Sequence, residues 1–170
     1  GIGRTGRLFA YQQYGVEPDA MSMAKALGNG YPIGAFQVQR KHESVLPVGK
    51  HASTFGGTPL ACAAAHAVIS TILQEDLLLN CQKMGEHFKG ALIQMASNYS
   101  FIKEVRGMGL MIGVELDRPV ADAVRAAAQQ GLLILNAGEN VLRFLPPLNL
   151  NQSDLDQAIK IIDNILGGLA

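Results

Sequence analysis

Tryptophan is absent from the 170 residues, and charge of either sign is scarce, with 14 Lys+Arg matched by 14 Asp+Glu. That balance excludes the basic footprint on which binding to nucleic acid or an anionic membrane depends. Cysteine is nearly missing. Cys62 and Cys81 form neither a metal-spaced pair nor a disulfide framework, so a reducing, cytoplasmic location is expected. No apolar run approaches the roughly 18 residues that a membrane span needs. The opening run, from Gly1 to Gly6, does not have the pattern of a signal peptide. It reads as a cut inside a glycine loop, and the chain as a piece of a longer protein. What is present is 48% apolar residues, sufficient for a sizeable core.

The 19 glycines cluster, and they punctuate the first fifty residues into short segments. Leu8 to Tyr14 reads as a helical turn, Ala20 to Ala24 as a short buried segment that fits a strand, and Ala35 to Val38 as a strand. Thr58 is a candidate N-cap with Pro59 at the first helical position, and the Ala-rich stretch to Leu73 reads as a buried helix. A second helix places Leu78, Cys81, Met84, Phe88, Ala91, Leu92 and Met95 on one face. Strands are predicted over 101–105, 110–116, 132–135 and 141–144, with a helix over 120–130. A last helix is expected to be capped by Ser153, with Asp156 completing a capping box. The organisation is α/β to about residue 73 and α+β from there to the end.

Gly1, Gly3 and Gly6 spell G-x-G-x-x-G, with Asp19 following, which invites a nicotinamide or flavin reading. That fingerprint needs a strand before it and a long helix opening on it, and neither is visible. A tight glycine turn with Arg4 and Arg7 solvated is the better reading. Two other constellations carry more chemistry. Lys25 stands among apolar residues at the end of a short strand, where desolvation favours a neutral, nucleophilic amine; a lysine reaching to water is the structural alternative. His51-Ala52-Ser53-Thr54-Phe55-Gly56-Gly57 offers two hydroxyls and flexible backbone just before a helix, either a phosphate cradle or a capping turn.

Taken in order, the run 1–6, Gly15-Val16-Glu17-Pro18-Asp19, Ala24-Lys25-Ala26-Leu27-Gly28, Pro32-Ile33-Gly34-Ala35, Ser53-Thr54-Phe55-Gly56-Gly57, Val105-Arg106-Gly107-Met108-Gly109 and Leu142-Arg143-Phe144 resemble the class III aminotransferases. The resemblance implies a pyridoxal 5′-phosphate-dependent transferase of fold type I. Residues 1–73 would be the C-terminal part of the large domain and 74–170 the small α+β C-terminal domain. The run 136–144 is most similar to the acetylornithine branch. This implies transfer of the side-chain amino group of N-acetylornithine to 2-oxoglutarate, in arginine biosynthesis; ornithine, succinylornithine and 4-aminobutyrate enzymes are near relatives.

The resemblance implies that Lys25 forms the Schiff base with the cofactor and shuttles a proton. Thr54 would bind the cofactor phosphate across a homodimer interface. Ser53 would touch substrate, and Arg143 the substrate carboxylate, or else Arg143 is a strand-end arginine in a structural ion pair. Arg106 is taken as structural, His51 and His87 as loop and helix-face residues, and Glu17 and Asp19 as solvated or capping. Two departures stand out: Thr58 where the family more often has Asn, and Ala52 where Gly is usual. The family's Asp-Glu-Val-Gln, whose Asp pairs with the cofactor's pyridine nitrogen, lies upstream of the glycine run, so these residues alone are expected to be inactive. A scaffold that kept the fold and lost the chemistry is the alternative from another class.

Overall fold

The computed structural model describes residues 1–169. It opens on the glycine run and a 3₁₀ turn at Ala10–Gln13, shorter than the helical turn expected, followed by strand β1 (Ala20–Met23). A second 3₁₀ turn, Lys25–Leu27, leads into β2 (Ala35–Val38), which pairs antiparallel with β1. After a third 3₁₀ segment at Arg40–Val45 come helices α1 (Pro59–Gln74) and α2 (Leu77–Asn98), bent by 66° at Asp76, whose φ is +51°. The remainder alternates β3 (Ile102–Met108), β4 (Met111–Leu116), α3 (Ala121–Gln129), β5 (Leu135–Ala137), β6 (Val141–Phe144) and α4 (Gln152–Gly167). Its four strands form one antiparallel sheet in the order β3-β4-β6-β5. Among the described residues, no single helix is long and apolar enough to cross a membrane.

Strict alternation makes this sheet two-faced. Ile112, Val114, Leu116, Leu142 and Phe144 point to the helices and are buried, while Gly113, Glu115 and Arg143 lie on the other face. Phe88, Leu92 and Met95 of α2 and Leu155, Ile162, Ile165 and Leu166 of α4 complete the main core. Fully burying one such Leu or Ile is worth about 1.5–3 kcal/mol. Phe88 meets Phe144 edge-on, with ring centroids 5.2 Å apart. A second, smaller cluster holds Ile2, Leu27, Ala65 and Ile72.

Three expectations need correction. The last helix is capped by Asn151, whose side chain accepts from the Asp154 N–H at 2.9 Å; Ser153 already lies inside α4. The strand expected over 132–135 pairs only from Leu135 onward, because the Leu132 N–H is committed to the Ala127 carbonyl at the end of α3. The Ala-rich helix α1 is not buried all round. Ala61, Ala65 and Ile72 are buried and Val68 and Ile69 half-buried, while Leu60 and Leu73 are exposed. Thr58 does occupy the N-cap position of α1, yet its side chain makes no capping bond.

Candidate functional site

Lys25 sits where β1 runs into the 3₁₀ turn. Leu27, 4% exposed, plugs into the small cluster and anchors the turn. The Leu27 N–H donates to the Ala24 carbonyl and the Gly28 N–H to the Lys25 carbonyl, both at 3.1 Å. Gly28 is required here, since a Cβ would fall 2.2 Å from the Tyr31 carbonyl oxygen. Lys25 itself has φ +51°, left-handed backbone that an L side chain adopts only under constraint. Its side chain is exposed and makes no hydrogen bond or ion pair among the described residues, so the desolvation expected from its apolar neighbours is not present in this chain. An open cleft of about 560 Å³ adjoins it, walled by Ala26, Pro32, Ile33 and the Asn29–Tyr31 loop.

Ser53 and Thr54 lie on an exposed turn shortly before α1, closed by a 3.1 Å bond from the Gly56 N–H to the Ser53 carbonyl. Ala52 is not among the residues with positive φ, so the methyl there strains nothing. Arg143 stands on the outer face of the larger sheet. It is paired with Gly113 on one side and Leu135 on the other, and Arg106 lies opposite Gly113 on β3. Its Nε is buried without a hydrogen-bond partner, and it forms no ion pair among the described residues, so the strand-end ion pair is not observed. Ser53, Thr54 and Arg143 do not line the Lys25 cleft.

The arginine of the glycine run is where sequence reading missed most. Arg4 is not solvated; it bonds to the carbonyls of Leu110 and Pro146, and burial pulls its guanidinium below the usual value. Its own carbonyl accepts from the Leu110 N–H at 3.0 Å and from the Cys81 thiol at 3.2 Å. Burial in turn pushes the Cys81 thiol up. Glycines allow this contact: a Cβ at Gly109 would lie 2.7 Å from the Arg4 carbonyl oxygen, and one at Gly85 would lie 2.4 Å from that of Gly109. The carbonyls that the Arg4 side chain reaches are more than a hundred residues away, so no local pattern announces them.

Other candidates resolve as supports. Arg106 bonds Glu115 and Glu104, which raise its value further, in keeping with a structural role. His87 on α2 is more than a helix-face residue, for its Nε2 lies 2.8 Å from an Asp156 carboxylate oxygen on α4. Asp19, though exposed, is held by Lys41 at 2.6 Å and His42 at 2.9 Å. Among the described residues no three His, Cys, Asp or Glu side chains gather as a metal site would require.

Comparison with known proteins identifies the architecture. Residues 1–166 match the family described as Aminotransferase class-III. The chain is 46% identical to the acetylornithine aminotransferase of Caldanaerobacter subterraneus subsp. tengcongensis, over 98% of this chain and 42% of that protein. It is 45% identical to that of Methanocaldococcus jannaschii, over 97% of this chain and 42% of the relative. Among solved structures, the acetylornithine aminotransferase of Elizabethkingia anophelis superposes with a TM-score of 0.92 at 32% identity, covering 99% of this chain and 43% of that one. The ornithine aminotransferase of Toxoplasma gondii ME49 gives 0.94 at 33%, covering 99% and 41%. The chain thus spans about two-fifths of the length of these relatives. By sequence and by fold, an α/β transferase fold of type I, this chain belongs to the class III aminotransferases, whose members use pyridoxal phosphate.

Proposed function

We propose that the chain is the lysine-bearing part of an acetylornithine-type aminotransferase, acting in the cytoplasm as a homodimer that shares its active sites, in arginine biosynthesis. On this reading residues 1–73 belong to the large domain and 74–170 form the small one. The observation that carries it is the 46% identity to an acetylornithine aminotransferase over nearly the whole chain. The Ser53-Thr54 turn does not line the Lys25 cleft of its own chain, which supports a site completed by a second subunit.

The donors fit pyridoxal phosphate: an exposed, unpaired primary amine beside an open cleft suits an aldehyde, and a hydroxyl-bearing turn before a helix suits a phosphate. When bound, that group supplies an electron sink for the substrate carbon. Lys25 Nζ would hold the group through its aldehyde and would serve as the base that takes and returns the proton at the reacting carbon. The Thr54 hydroxyl would donate to its phosphate, and Ser53 would contact substrate. Arg143, its guanidinium free of any carboxylate among the described residues, would offer two parallel N–H donors to a substrate carboxylate.

Borohydride reduction of the natural-length protein with pyridoxal phosphate, followed by peptide mapping, is expected to leave a phosphopyridoxyl group on Lys25, and none in Lys25→Ala. A folded natural-length protein that traps nothing would remove the aminotransferase reading. Comparing kcat/KM for N-acetylornithine and ornithine then decides the donor; the high superposition on ornithine aminotransferases keeps ornithine as the second reading.

A further inference from the structure

The glycine run and the 106–109 turn have no part in the chemistry above, yet they face each other across a cleft of about 400 Å³, within the usual size of small-molecule sites. Thr5 and Arg7 of the run form one wall, Glu86 and Lys89 of α2 another, and Gly107 to Gly109 the third. Gln13 and Gln82 also line it, but their side-chain amides are committed to the Thr5 and Gly6 carbonyls, both at 2.6 Å, and so hold the walls in place. The charged groups are not committed in this way. Arg7 and Glu86 make no hydrogen bond or ion pair among the described residues. Lys89 gives one of its three ammonium hydrogens to the Gly107 carbonyl at 3.1 Å. The Thr5 hydroxyl oxygen is buried with no hydrogen-bond partner among the described residues.

Two cations and one carboxylate around one small cleft, unpaired with each other, complement a ligand carrying both signs of charge. We propose that this cleft binds a small zwitterion, a free α-amino acid, with its carboxylate on Arg7 and Lys89 and its ammonium on Glu86. Planar guanidinium is suited to the two oxygens of a carboxylate. The cleft is not lined by Lys25, and its walls come from both sides of the Arg4 contact. Occupancy therefore ties the segment that follows the glycine run to α2 and the β3–β4 hairpin.

The test uses the natural-length protein carrying Lys25→Ala and loaded with pyridoxamine phosphate, which has no aldehyde for an added amino acid to condense with. Calorimetric titration with L-alanine is expected to show saturable binding, weakened at least tenfold by Arg7→Gln and by Glu86→Gln. Acetate is expected to bind with the same dependence on Arg7 and none on Glu86. Both residues are exposed and unpartnered, so the thermal midpoint of the unliganded variants should match the parent; should Arg7→Gln disturb folding, Glu86→Gln gives the same reading alone. Binding unchanged in both variants, or no binding of alanine up to its solubility, overturns the proposal.

Discussion

Residues 1–73 and 74–170 are built on different terms. Among the described residues, five of the buried apolar side chains fall in the first stretch and nineteen in the second. The exposed large apolar side chains are distributed the other way, ten against six, with Phe36 at 58% and Leu60 at 63% exposure. The second stretch closes a two-layer core of its own, helices over one face of a sheet. The first holds together through Leu27, Ile2, Ala65 and Ile72, with Leu77, Leu78 and Leu148 packed against them from the second. Lys25, Ser53 and Thr54 all lie on the thinly packed side. The lesson is that this chain keeps the groups proposed to react where its own packing is least, on turns fixed by a few anchors.

The widest test of that contrast is a pair of truncations followed by urea unfolding. Leu92→Ala removes a side chain 1% exposed from the main core and is expected to lower stability by about 2–5 kcal/mol. Leu60→Ala, on the uncovered face of α1, is expected to change it by less than about 0.5 kcal/mol. Equal losses would mean that the two stretches are not packed differently.

The seam between the stretches is tested by glycine. Gly109→Ala puts a methyl at φ +55°, 2.7 Å from the Arg4 carbonyl oxygen and 2.9 Å from the Cys81 sulfur, at an expected loss of about 1–3 kcal/mol. Gly90→Ala on α2 meets nothing within 4 Å and is expected to gain about 0.5–1 kcal/mol. A Gly109→Ala protein as stable as its parent would show that the seam is not tight.

The smallest effect belongs to the surface of the first stretch. Hydrogen bonds from Lys41 and then His42 hold the Asp19 carboxyl below its ordinary value of 3.8. Its folded-state value thus lies below the unfolded one. The contribution is complete above the unfolded value and disappears as pH falls through the folded one. Asp19→Asn should flatten that acid dependence, read as thermal midpoint between about pH 2 and 6. Near neutrality it should change little, because Lys41 and Asp19 are 61% and 64% exposed and salt screens them. A large neutral-pH loss would give this surface a structural weight the geometry does not.

Much of the fold was legible because its cues are local. Strands 35–38 and 141–144 fall where apolar runs are bounded by Gly or Pro, and the apolar face of α2 follows its helical period. Asn151 and Ser153 are both good caps two residues apart, and only the reciprocal bonding of Asn151 with Asp154 selects the first. The position of Lys25 in a motif was readable, but its exposure and left-handed backbone were not, since lysine carries no preference for positive φ. Arg4 and Arg7 looked alike in sequence. One is locked to carbonyls from Leu110 and Pro146, and the other faces an unfilled cleft, because distant chain decides between them.

The backbone at Lys25 has a consequence for how the protein tolerates change. Glycine would hold φ +51° without strain, so at this position the residue that best suits the fold is not the one that carries the amine. On the proposed role of Lys25, variants screened for heat resistance alone would drift toward glycine there and emerge sturdier but without the amine. Any programme to toughen the protein has to freeze that one codon and look for its gains in the second stretch.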